Sequence, residues 1–110
     1  QPPWADRITF LIGDAITEAP RLGVSFDLAF IDGDKRTYRE TYEMALSVVR
    51  KGGFILADNT LWDGHVVDPS YGKDQQTQGI VSFNDYVRQD SRVERVILPL
   101  RDGLTLIRKL

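Results

Sequence analysis

The stretch "FDLAFIDGDK", Phe26 to Lys35, decides how the chain is read. Five of its first six residues are apolar, the pattern of a strand buried on both faces. Asp32, Gly33, Asp34 and Lys35 then follow at once. Strands buried on both faces belong to parallel sheets, whose carboxyl ends lie on one rim where ligands bind. Two carboxylates and an ammonium at such an end therefore mark a candidate site.

Outward from this stretch the same pattern repeats. Upstream, Ile8 to Ile12 reads as another short buried strand, ended by Gly13 and Asp14. "ITEAPRLG" is a short helix at best, because Pro20 suits a helix start and Gly23 ends it. Downstream, "TYRETYEMALSVVRKGG" is the clearest helix. Thr37 and Glu40 have capping-box spacing, and Tyr38, Tyr42, Ala45, Leu46 and Val49 form one apolar stripe. Arg50 and Lys51 suit the negative end of its dipole, with Gly52 or Gly53 as the stop.

"FILADN" is the third strand, ending in Asp58-Asn59. Residues 62–78 read as loop, and "GIVSFNDYVRQD" as a second amphipathic helix with Ile80, Phe83 and Val87 on one side. "VERVILPL" and "LTLIRK" flank Asp102-Gly103, a strong hairpin signal, with Pro99 marking an edge or bulge. This order predicts an α/β fold, a largely parallel sheet covered on both faces and closed by an antiparallel hairpin.

Composition narrows the function classes. The 110 residues suit one domain at most, with 42% hydrophobic and 27% charged content. A net charge of -2 supplies no bulk field for nucleic acid or an anionic membrane, and no apolar run has spanning length. The absence of cysteine removes disulfides, zinc-thiolate sites and thiol chemistry. There is neither a G-x-G-x-x-G nor a Walker-type phosphate loop.

Three strand ends thus carry polar residues: Asp14, Asp32 and the pair Asp58-Asn59. Taken singly, each is as well explained by helix capping or turn formation. Taken together, Asp32, Asp58 and Asn59 offer two carboxylates and an amide oxygen. That hard-oxygen set suits Mg²⁺ or Ca²⁺, is poor for zinc, and leaves about three positions open in an octahedron. Lys35 lies one turn past Asp32. A cation beside it would disfavour its ammonium and favour an amine able to act as a base. Trp62 reads as core or as the wall of a substrate pocket, with the pocket favoured by its place after the candidate ligands. His65 lacks a partner at metal-site spacing and reads as a loop residue. Arg36, Arg39 and Arg50 read as a solvated face, and Tyr38 and Tyr42 as core.

From Ile8 to Lys109, "FDLAFIDGDKRTYRETYEMALSVVRKGGFILADNTLWDGHV" above all, the chain resembles the cation-dependent O-methyltransferases. That family includes the caffeoyl-coenzyme A and catechol O-methyltransferases and many small bacterial relatives. The resemblance implies a Rossmann-like sheet, S-adenosylmethionine as methyl donor and a divalent cation, magnesium foremost. It implies Asp32, Asp58 and Asn59 as cation ligands and Lys35 as the base. Asp14 and Ala15, with Asp32, fall on the cofactor side, and Trp62 falls beside the substrate. Asp34 matches an acid frequent in bacterial members, without a role implied. A hydroxylated aromatic acceptor, a homodimer and a cytoplasmic location are further implications.

The resemblance also departs from the family in extent. Members are roughly twice as long and carry upstream a glycine-rich cofactor loop and an acid for the ribose. Residues 1–110 therefore correspond to the C-terminal part of a methyltransferase domain, and the sequence is expected to be a piece of a longer enzyme. On its own it is expected to bind cofactor poorly and to self-associate through the edge left open beside "DLAFID". Two readings from other classes stand beside this one. "FIDGDKRT" has the D-x-D of an aspartyl-nucleophile phosphatase, although Thr37 comes one position late. A non-catalytic α/β interaction module is the other.

Overall fold

The two apolar runs that end in acid pair with each other. In the computed structural model, which describes residues 2–110, Phe26–Ile31 forms strand β1 and Val49–Asp58 forms β2, side by side and parallel. Val93–Leu98 (β3) and Leu104–Lys109 (β4) make the expected hairpin, and β4 docks antiparallel on β2. The sheet order is β1-β2-β4-β3, a mixed sheet with β1 at one edge and β3 at the other. Leu98 pairs with Leu104, so residues 99–103 form the turn, a longer loop than Asp102-Gly103 alone. Arg101 (φ 49°) and Gly103 (φ 84°) take left-handed backbone there.

Three helices are Ala15–Arg21 (α1), Tyr38–Val48 (α2) and Gln75–Arg88 (α3). The α2 stripe packs as its periodicity requires. Tyr38, Tyr42, Ala45 and Leu46 join Phe83 and Val87 of α3 against Ile31, Ile55, Ala57 and Ile107 of the sheet. The Phe83 ring stands edge-on to both tyrosines, 5.1 Å from Tyr38 and 5.7 Å from Tyr42 between centroids. Burying each such side chain contributes about 1.5–3 kcal/mol. Tyr42 also donates to Asp90 at 2.8 Å, and Arg92 bridges Asp90 and Glu43.

Several expectations are corrected. Residues 8–12 form no strand; among the described residues no strand pairs with them, and Phe10 and Ile12 are more than 80% exposed. The sheet is covered on one face only among the described residues. Leu28, Phe30, Phe54 and Val96 lie on the other face and are exposed, because α2 and α3 pack on the opposite side and α1 packs against α2. Pro20 sits in the last turn of α1 rather than at its start. One lost donor is tolerated there, because the helix ends one residue later and Gly23 (φ 62°) turns the chain away.

The end of α2 is also earlier than its glycines suggest. Val49 turns extended to pair with Phe26, and it fills the core from the strand instead of from the helix. Residues 50–53 then loop out before Phe54 pairs with Leu28. The carbonyls freed at the helix end are met by Lys109, not by Arg50 or Lys51. Its Nζ donates to Leu46 O at 2.8 Å and Val49 O at 2.9 Å.

At the other end of α2 the capping box does not form. Thr37 makes no side-chain cap bond to the helix and donates instead to Asp34 O. The cap has moved to Asp34, which starts a 3-10 turn over Lys35–Thr37. Residues 62–78 are not plain loop either. Trp62–Val67 and Pro69–Tyr71 form 3-10 turns, and Asp74 caps α3 by accepting from Thr77 N, so that helix starts before Gly79.

Candidate active site

The pairing register builds the site. Ile31 lies opposite Ala57 in the parallel ladder, so Asp32 and Asp58 leave adjacent strands at the same level. Neighbouring strands are about 4.8 Å apart. Asn59 follows in left-handed backbone (φ 62°), a conformation that asparagine tolerates better than most residues. Its backbone N–H donates to Asp58 Oδ1 at 2.8 Å. Asp32, Asp58 and Asn59 line one open cleft of about 600 Å³ with Asp63, Asp102 and Arg101.

Lys35 does not line this cleft but is bonded to one of its walls, Asp32. It is only 6% exposed, which is unusual for lysine and requires partners. Its Nζ donates to Asp32 Oδ1 at 2.8 Å and to the Tyr38 hydroxyl at 3.2 Å. The Tyr38 ring lies 4.6 Å from Nζ and the Trp62 ring 6.0 Å. The Tyr38 hydroxyl lies 2.6 Å from Asp58 O and 3.1 Å from Ile31 O, so one phenol ties together the ends of β1 and β2 and the amine. Burial pushes the Tyr38 phenol well above its ordinary value, and the Asp32 and Asp58 carboxylates add to this. It therefore stays a donor. Sequence reasoning gave Tyr38 only a core role, because its stripe position accounts for the ring and is silent about the hydroxyl.

The remaining candidates divide. Asp14 caps α1, accepting from Ile16 N at 3.0 Å. With Ala15, Gly33 and Asp32 it lines a second cleft of about 480 Å³ beside β1. Asp32 thus lies on both clefts. Trp62 faces Lys35 but does not line the acidic cleft. His65 stacks on Tyr71, 3.6 Å between centroids, within its own loop.

Asp34 turns away from the acidic cleft into a fork with the Arg36 guanidinium, 2.6 Å at the shortest contact. Hydrogen bonds from the Arg36 side chain and backbone hold its carboxyl at about 2. The second acid of the D-x-D phosphatase reading is thus engaged by Arg36.

Sequence reasoning also read Asp102 only as a turn former. Its carboxylate accepts from Asn59 Nδ2 at 3.0 Å and from Asp63 N. No spacing rule reveals this, since Asp102 and Asn59 are far apart in sequence and meet only because β4 docks on β2.

As a donor set, Asp32, Asp58 and Asn59 fit a hard divalent cation. All three offer oxygen, and neither thiolate nor imidazole lines the cleft. Among the described residues no three acidic, histidine or cysteine side chains cluster as a metal group, so the set depends on the amide oxygen of Asn59. No helix among the described residues is long and apolar enough to cross a membrane.

A family model described as O-methyltransferase matches residues 1–110. Tricin synthase 2 of Oryza sativa subsp. japonica is 48% identical over 90 residues, which cover 77% of this chain and 31% of that protein. Caffeoyl-CoA O-methyltransferase 2 of Zea mays is 38% identical over 104 residues, covering 90% of this chain and 39% of that protein. The solved O-methyltransferase TomG of Streptomyces achromogenes, in complex with SAM, superposes with a TM-score of 0.78 at 28% identity, covering 88% of this chain and 47% of that one. The chain thus spans less than half the length of each of these relatives. Because the family model matches residues 1–110, the chain belongs to the O-methyltransferase family.

Proposed function

We propose that the protein carrying these residues transfers a methyl group from S-adenosylmethionine to a hydroxyl of a catechol-like aromatic acceptor. A divalent cation, magnesium foremost, would be held by Asp32, Asp58 and Asn59. The observation that carries this reading is the ladder register, which sets Asp32 and Asp58 side by side with a buried lysine bonded to one of them. Family membership supports the reaction class, and the complex of a solved relative with SAM supports the donor.

When bound, the cation would lower the pKa of an acceptor hydroxyl, as metals do for bound water. The chain's own residues do the rest. Lys35 Nζ takes the acceptor proton. Asp32 and Tyr38 hold that amine in place from two sides. Trp62, whose ring lies 6.0 Å from that amine outside the lining of the acidic cleft, is the aromatic proposed beside the acceptor. Asp14 and Ala15 line the cleft proposed for the adenine of the donor. Fixing donor and acceptor in one geometry supplies much of the acceleration in such a transfer.

The test is a product assay on the full-length protein. With methyl-labelled S-adenosylmethionine and catechol, labelled methyl ether is expected. Release of phosphate from an aryl phosphate without methyl transfer to any hydroxyl acceptor would overturn the reading in favour of a hydrolase.

A further inference from the structure

The β3–β4 turn grips the segment that follows β2. Thr60 N donates to Gly103 O at 3.2 Å, and Leu61 N donates to Asp102 O at 2.9 Å. Gly103 is seated so closely that a Cβ would fall 2.8 Å from Leu61 N, and its backbone is left-handed (φ 84°). Within this grip the Asp102 carboxylate is shared. One oxygen accepts from Asn59 Nδ2 at 3.0 Å and the other from Asp63 N.

An asparagine amide has two chemically opposite ends of nearly equal shape. A carboxylate beside one end dictates that this end is NH₂. The oxygen is then left on the end away from Asp102, and both residues line the cleft that holds Asp32 and Asp58. Were the amide reversed, its oxygen would oppose a carboxylate and its NH₂ would be offered to a cation. Trp62 lies between Asn59 and Asp63, the two residues that Asp102 holds, so the same carboxylate also fixes the stretch carrying that ring.

We propose that Asp102 is a positioning residue for the cation site: it selects the amide oxygen of Asn59 as the donor and pins the Trp62 segment. This rests on the cation reading above. It assigns to a hairpin turn, distant in sequence, a part in an affinity that Asp32, Asp58 and Asn59 express.

The test uses the full-length protein and MgCl₂ or MnCl₂ alone, titrated calorimetrically without donor or acceptor. Asp102→Asn keeps the shape but replaces one of the two acceptor oxygens by NH₂, so either Asn59 Nδ2 or Asp63 N loses its acceptor. The expected result is a cation Kd weaker by about 10–100-fold, the range for a lost outer partner of a metal ligand. The S-adenosylmethionine Kd is expected to stay within about twofold, since the donor cleft does not include Asp102. An unchanged cation Kd in Asp102→Asn with a lowered Tm would make Asp102 a structural turn residue and overturn the proposal. A wild-type protein that binds neither cation would instead overturn the cation reading itself, and this inference with it.

Discussion

Lys35→Ala in the full-length enzyme is expected to lower kcat by about 10²–10⁴-fold, the range that a positioned general base supplies. Among the described residues its Nζ is the only amine bonded to Asp32, and it is buried against Tyr38 rather than free in solvent. The S-adenosylmethionine Kd is expected to hold, because Lys35 does not line the cleft of Asp14 and Ala15. Steady-state kinetics together with a direct binding titration separate the two quantities. A variant with normal kcat and a weakened donor Kd would make Lys35 a structural cation that only neutralises Asp32. Lys35→Arg is a useful companion. It keeps a positive charge but offers a group that cannot take a proton at working pH, so it too is expected to be nearly inactive.

Gly79→Ala is expected to destabilise the enzyme, against the usual sign of that change. In an open helix, alanine is about 1 kcal/mol better than glycine. Gly79 lies inside α3 where the helix crosses the 3-10 turn of Lys35–Thr37. A Cβ there would collide with Lys35 O and come within 2.8 Å of Arg36 Cα. These are backbone atoms and cannot rotate away, so the overlap must be relieved by moving the helix or the turn. Such overpacking costs about 1–3 kcal/mol or more, enough to outweigh the propensity gain. A lower denaturation midpoint is expected, with a fall in kcat, because the displaced turn is the one that holds Lys35. A midpoint equal to or above wild type would show that α3 does not press on this turn.

These two residues show what can and cannot be read from sequence. Lys35 was readable because it lies on the same short segment as Asp32, and local spacing carries the signal. The ends of β1 and β2 were readable for a related reason: each apolar run stops abruptly in polar residues. Gly79 carried no such signal, since its need for smallness comes from a backbone that arrives from far away in sequence. The same holds for Asp102, whose Asp-Gly context is fully explained by a turn until β4 is seen beside β2.

Residues 8–12 failed in the opposite direction. Their apolar run has strand composition, but a strand is completed by a neighbour, and none pairs with it here. The α2 terminus failed because Gly52 and Gly53 look like a helix stop. They instead serve a looped-out strand entry, where a Cβ on Gly53 would meet Asp27 O at 2.8 Å. The exposed face of Leu28, Phe30 and Phe54 has the same explanation as the apolar runs themselves. The sequence pattern is that of a sheet covered on both sides, and the described residues supply the cover for one.

The central claim is that Asp32, Asp58 and Asn59 act as one cation site. Calorimetric titration of MgCl₂ into the full-length wild type and its Asp58→Ala variant tests it most directly. One saturable site in the wild type is expected, weakened by more than about 100-fold in the variant, since loss of a ligand exceeds the effect of a lost outer partner. Equal Mg²⁺ affinity in the two proteins would contradict the account.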